Sequence, residues 1–104
     1  MKKYAVLGMD VEDWFHLDYF LDEKCDTSQN TLDGIEIYLD LLKDYNIKTT
    51  FFVVGEIVEK LQHILKRIIE EGHEIALHSY YHRRPLSMSP EEFIEDTRKS
   101  VEVI

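Results

Sequence analysis

The feature that most constrains this chain is an alternation along its length. Short apolar runs take turns with longer stretches whose apolar residues recur every three or four positions. Lys48 to Val54 (KTTFFVV) is β-branched and aromatic, which predicts a strand, and Gly55 breaks it. Glu56 to Glu71 carries Ile57, Leu61, Ile64 and Ile68 at helical spacing, with Gly72 as a natural stop. Glu74 to Leu77 predicts a further buried strand. Upstream, Tyr4 to Met9 is a nearly continuous apolar run ending at Asp10, the pattern of a strand covered on both faces. Thr31 to Tyr45 predicts a helix through Leu32, Ile35, Leu39 and Leu42, capped by Asn30 or Thr31 and stopped at Asn46. Ser89-Pro90-Glu91-Glu92 opens a last helix, which runs to the end of the chain. Ser89 is its N-cap, Pro90 lies in its first turn and Glu92 closes a capping box. Residues 11 to 30 read as a long loop with one helical turn near Leu17 to Leu21. Residues 78 to 88 read as a second loop, broken by Pro85.

Strands alternating with helices imply an α/β fold of parallel strands joined by right-handed crossovers. Three such units make a narrow open sheet and cannot close a barrel. Residues 1–104 are therefore expected to be the N-terminal part of a larger domain, with open sheet edges that invite self-association. Asp and Glu total 21 against 12 Lys and Arg, a formal net charge of −9, which argues against nucleic acid as a partner. No apolar run is long enough for a signal-peptide core or a membrane span, so a cytoplasmic location is expected. Cys25 is the only cysteine and lies in a polar stretch; it reads as a bystander with no internal disulfide to form.

Chemistry concentrates at two places. His78 and His82 follow the third strand, four residues apart, and would share a face if the segment turned helically. Imidazole is the commonest protein ligand for zinc-like ions. The acidic cluster Asp10-Val11-Glu12-Asp13 ends the first strand and is the natural source of a third ligand. In parallel α/β folds ligands gather at the carboxyl ends of strands, so topology places both motifs on one rim. Two histidines and a carboxylate leave room for water at a divalent ion, and a second carboxylate can act as general base. The expected reaction class is metal-assisted hydrolysis of an amide or ester. His63 reads as a surface residue and His73 lies at the far end of its strand. His16 reads as packing that could approach the site, and Trp14, Phe15, Tyr80 and Tyr81 are candidates for a sugar-binding groove.

Three segments together are familiar: Asp10 to Phe15 (DVEDWF), Thr49 to Gly55 (TTFFVVG) and Gly72 to His82 (GHEIALHSYYH). In order and spacing they resemble the polysaccharide deacetylases, the family with the NodB homology domain (carbohydrate esterase family 4). The resemblance implies a partial (β/α) barrel and a divalent metal, usually zinc, with cobalt, nickel or manganese as alternatives. It also implies hydrolysis of acetyl groups on an acetylated polysaccharide or oligosaccharide, most readily the N-acetyl groups of amino sugars. Asp10 matches the general base, and His78 and His82 match the metal histidines. The commonest family motif has two adjacent aspartates, whereas here Val11 follows Asp10. The acid ligand is therefore Glu12, if the strand persists, or Asp13, if the chain turns. The family's arginine-proline segment and its histidine general acid are expected beyond residue 104, and Arg83-Arg84-Pro85 comes too early to be the former. A chain with only the metal half of the site is expected to bind metal weakly and deacetylate poorly. Two rival readings are a non-catalytic carbohydrate-binding or regulatory module on the same fold, and a metal-free hydrolase of cyclic amides.

Overall fold

The computed structural model describes residues 1–17, 26 and 32–104. Its strands are β1 (Gly8–Val11), β2 (Thr50–Val53) and β3 (Glu74–Leu77), and its helices are α1 (Gly34–Asp44), α2 (Gln62–Glu70) and α3 (Pro90–Val103). The strands are all parallel and lie in the order β1-β2-β3. This is the α/β architecture that the alternation predicts.

Register decides which residues meet. Met9, Phe51 and Ile75 form one row across the sheet, and Val11, Val53 and Leu77 form the next row on the same face. Phe51 and Val53 are fully buried in a core with Leu39, Leu42, Ile57 and Ile68 from the helical segments. The opposite face carries Gly8, Asp10, Thr50, Phe52, Glu74 and Ala76, none of which is buried. The expectation of strands covered on both faces is thus not met among the described residues. β1 also starts later than its apolar run suggests, and Tyr4 and Val6 are exposed. The reason lies in β2. The Thr50 N–H and the Thr49 hydroxyl both bond the Leu7 carbonyl, and among the described residues no strand runs alongside those before Leu7.

The helix stops follow the sequence closely. Asn46 adopts φ 52°, and the Ile47 N–H bonds the Leu42 carbonyl at 2.9 Å while the Asn46 N–H bonds Lys43 at 3.1 Å. This is a Schellman motif closing α1. Gly72, at φ 84°, closes α2 in the same way, with His73 bonded to Ile68 and Gly72 to Ile69. The start of the second helical stretch differs. Gly55–Ile57 and Glu59–Leu61 are 3-10 turns, and the α-helix begins only at Gln62. Ile57 and Leu61 are buried all the same, so the apolar spacing is satisfied by the tighter turns too.

α3 opens as predicted. The Glu92 N–H donates to Ser89 Oγ at 3.2 Å, and the Ser89 N–H donates to the Glu92 carboxylate at 3.3 Å. The Ser89 N–H first and the Ser89 hydroxyl second, more than the nearby Arg83, hold the Glu92 carboxyl below its usual range. Asn30, Thr31, Cys25 and most of the turn expected near Leu17 to Leu21 lie outside the described residues. No helix among the described residues is long and apolar enough to cross a membrane.

Candidate metal centre

β1 and β3 flank β2, so their carboxyl ends lie two strand spacings apart, roughly 9–10 Å. Between them β2 runs into Val53, Val54 and Gly55, all buried. Polar side chains that meet here must reach over that apolar floor from both sides. Asp10 lies in β1, and Glu12 follows its last residue, Val11. The chain then turns sharply. Asp13 caps a 3-10 turn, Trp14–His16, by accepting from the Trp14 N–H at 2.9 Å. Asp13 is buried in that capping role and does not join the histidines.

From the other side, the His78 N–H bonds the Val53 carbonyl at 3.1 Å, which continues the ladder one residue past β3. The segment then leaves strand geometry without becoming helical. Ser79 and His82 both adopt positive φ, 62° and 58°, values that non-glycine residues seldom take. Residues 78–82 are thus loop, as expected, with two left-handed residues rather than a helical turn between the histidines. Its carbonyls are held by the turn after β2, since Gly55 N–H donates to Ser79 O at 3.0 Å and Glu56 N–H to Tyr80 O at 2.9 Å. Glycine is required at 55 for this approach. A Cβ there would stand 2.6 Å from a Tyr80 ring carbon and 3.2 Å from the Tyr80 Cα.

The result is a convergence of three ligand atoms. Glu12 Oε2 lies 2.6 Å from His82 Nε2 and 3.4 Å from His78 Nε2, and all three atoms fall within 4.8 Å of one another. Asp10 Oδ2 stands beside them, 3.7 Å from His78 Nε2, on a more exposed side chain. Tautomer chemistry sharpens the picture. The His82 Nδ1 lies 2.6 Å from the His16 carbonyl, which only accepts, so Nδ1 carries the proton and the Nε2 of a neutral ring offers a lone pair. Glu12 Oε2 and His78 Nε2 are buried, and neither has a hydrogen-bond partner. A proton on His82 Nε2 would pair with Glu12 but leave His78 unserved. One divalent cation would serve all three atoms. Ligands about 2.0–2.1 Å from a tetrahedral ion lie roughly 3.3 Å apart, so the His78–Glu12 spacing suits one, and the closer His82–Glu12 pair would need to open slightly.

The sequence reading missed how His16 contributes. Its ring is buried, its Nδ1 accepts from the Asp13 N–H at 2.8 Å, and its Nε2 faces Glu56 Oε1 at 2.5 Å. Those contacts fix the 3-10 turn, whose carbonyl in turn orients His82. The only sequence signal was the position of His16 just after the acidic cluster. His63 is exposed, as expected. His73 is buried at the start of β3, where its ring meets Phe51 edge-on and its Nδ1 accepts from the Thr49 N–H at 3.2 Å. Phe15 packs against the core, Tyr80 covers Gly55, and Tyr81 stays exposed.

Residues 29–104 match the family model for polysaccharide deacetylase. Over 66 residues the chain is 41% identical to a peptidoglycan-N-acetylglucosamine deacetylase of Bacillus cereus, a match spanning 64% of this chain and 24% of that one. Over 71 residues it is 35% identical to a peptidoglycan deacetylase of Helicobacter pylori, spanning 68% of this chain and 24% of that one. The chain thus spans about a quarter of the length of these curated relatives. The crystal structure of the Bc1960 peptidoglycan N-acetylglucosamine deacetylase superposes with a TM-score of 0.72 at 32% identity, covering 94% of this chain and 38% of that one. The family match begins after the acidic cluster, so Asp10 and Glu12 rest on geometry, whereas the segment with His78 and His82 falls inside it. With that match and the shared parallel β/α architecture, the chain belongs to the polysaccharide deacetylase family.

Proposed function

We propose that the protein removes acetyl groups from an acetylated polysaccharide, most readily the N-acetyl groups of amino sugars such as those of peptidoglycan. A divalent metal, with zinc as first choice, is assigned to Glu12, His78 and His82. Asp10 is assigned as general base. The observation that carries this reading is the meeting of three ligand atoms, two of them buried without a hydrogen-bond partner, beside a further carboxylate. Bound there, a divalent ion supplies Lewis acidity, which polarises an acetyl carbonyl and acidifies water.

The chain's own residues do the rest. Glu12 and the two imidazoles supply one negative charge and two neutral donors, leaving a net positive centre for the developing oxyanion. Asp10, next to the three but outside their set, is placed to take a proton from the attacking water. Water oxygen then bonds the carbonyl carbon, the carbon–nitrogen bond breaks, acetate departs and the amine collects the proton that Asp10 took from water. The same proposal takes residues 1–104 as the metal-binding part of a longer deacetylase domain. Coverage of 38% of the solved relative supports it. A metal-free reading leaves the buried His78 Nε2 without a hydrogen-bond partner.

Turnover of an N-acetylated chitooligosaccharide and of peptidoglycan fragments by the full-length protein tests the proposal. Asp10→Asn should lower kcat by about 10²–10⁴-fold while zinc binding persists. Activity that survives both chelation and Asp10→Asn would refute it.

A further inference from the structure

The loop joining His78 to His82 carries two left-handed residues, and the bonds from Gly55 and Glu56 secure only its carbonyls. Its donors are secured from α3. Asp96 is buried on that helix, and its Oδ1 accepts from the Tyr80 N–H at 3.0 Å. The Ser79 hydroxyl lies 3.0 and 3.1 Å from the two Asp96 oxygens. A carboxylate only accepts, so the Ser79 proton points to Asp96. The lone pairs of Ser79 Oγ are thereby left for the Arg83 N–H, 3.4 Å away. One carboxylate thus governs both ends of the loop: Ser79 directly after the first histidine, and, through the Ser79 hydroxyl, Arg83 directly after the second. A second contact from the same helix face places Lys99 Nζ over the Tyr80 and Tyr81 rings, 5.6 and 5.7 Å from their centroids.

A buried carboxylate is costly unless hydrogen-bonded, and bonds to a charged acceptor are stronger than neutral ones. Asp96 meets that condition through donors of the loop itself. We propose that Asp96 is the positioning residue of the histidine pair: from α3 it holds the 79–83 segment in the left-handed form that brings His78 Nε2 and His82 Nε2 to Glu12. The proposal rests on the metal reading above, because it concerns the same two histidines. Asp96 is not among the three converging ligand residues. It acts through Ser79 and the backbone.

The test uses the full-length protein as wild type, Asp96→Ala, Asp96→Asn and Ser79→Ala. Zinc affinity is measured by competition with a chromogenic chelator, and amide exchange is measured in metal-free protein. Asp96→Ala should weaken zinc binding by about 10–100-fold, the usual cost of losing a partner behind a ligand. The Tyr80 and Arg83 amides should exchange faster while those of β2 and α2 keep their protection. Asp96→Asn retains an oxygen for the Tyr80 N–H and should recover most of the loss. Adding Ser79→Ala to Asp96→Ala should cost little more, since the Ser79 hydroxyl is oriented by Asp96. If Asp96→Ala fails to fold, Asp96→Asn and Ser79→Ala carry the same readouts with smaller shifts. Lowered thermal stability with unchanged zinc affinity and unchanged exchange at Tyr80 and Arg83 would overturn the proposal, leaving Asp96 as a helix anchor. If the wild type takes up no zinc yet Asp96→Ala speeds exchange across 79–83, the metal reading fails and the clamp stands.

Discussion

At His82 a backbone carbonyl, that of His16, three residues past Asp13, holds the proton on Nδ1 and leaves a lone pair on the ring nitrogen facing Glu12. Such a dependence on main-chain geometry leaves no trace in residue identity, and it is why the role of His16 was illegible in sequence. The pairing of acid and histidines on one rim was legible, because strand order alone dictates it. The choice between Glu12 and Asp13 was not. It depends on where β1 gives way to the 3-10 turn, and the structure gives Asp13 to the cap and Glu12 to the histidines. Gly55 offers a test at this scale. Gly55→Ala forces a methyl group into Tyr80 and should destabilise the fold by about 1–3 kcal/mol, with weaker zinc binding. Gly34→Ala is the control. Among the described residues nothing lies within 4 Å of its Cβ position at the start of α1, so it should be neutral or stabilise by up to about 1 kcal/mol. Urea denaturation of both variants checks the pair.

Among the elements, the ends marked by punctuation read most clearly. Asn46 and Gly72 stop their helices through left-handed Schellman turns, and Ser89 with Glu92 opens α3. β3 spans Glu74–Leu77, the range its apolar run predicts, although Leu77 is 39% exposed, since among the described residues β3 pairs only with β2. β1 reads less well. Apolar character marks Tyr4 to Leu7 as strand, yet a strand needs a neighbour, and pairing begins only where β2 runs alongside. β2 is the element that the rest leans on. Phe51 sits on the central strand, fully buried, with Tyr38 and His73 edge-on to its ring. Phe51→Ala should cost about 3–5 kcal/mol. Ser89→Ala, which removes one cap at the surface, should cost only about 1 kcal/mol. Thermal or urea melts that failed to rank the two in that order would contradict the central place given to β2.

For the molecule as a whole, the sheet separates two tasks. The carboxyl end of the strands gathers Asp10, Glu12, His78 and His82, while the opposite end buries His73 against Phe51 and the Thr49 amide. Burial first, and the charge of Lys48 second, hold the His73 imidazole below its ordinary value, with Glu71 opposing. The unfolded chain therefore binds a proton in a pH range where the folded chain does not, so stability rises with pH across that range. The contribution is complete above the ordinary histidine value of about 6.5 and declines as pH falls below it. His73→Gln, which keeps an acceptor for Thr49, should flatten the loss of stability on acidification from pH 7. An unchanged slope would show that other groups govern it. At the other end of the sheet, the account stands on three ligand atoms sharing one ion. Anomalous diffraction at the zinc edge, from crystals of the full-length protein grown with zinc, tests this most directly. The account predicts one strong peak within about 2.0–2.2 Å of Glu12 Oε2, His78 Nε2 and His82 Nε2, with Asp10 outside that distance. No peak there, or a peak held by other residues, would contradict it.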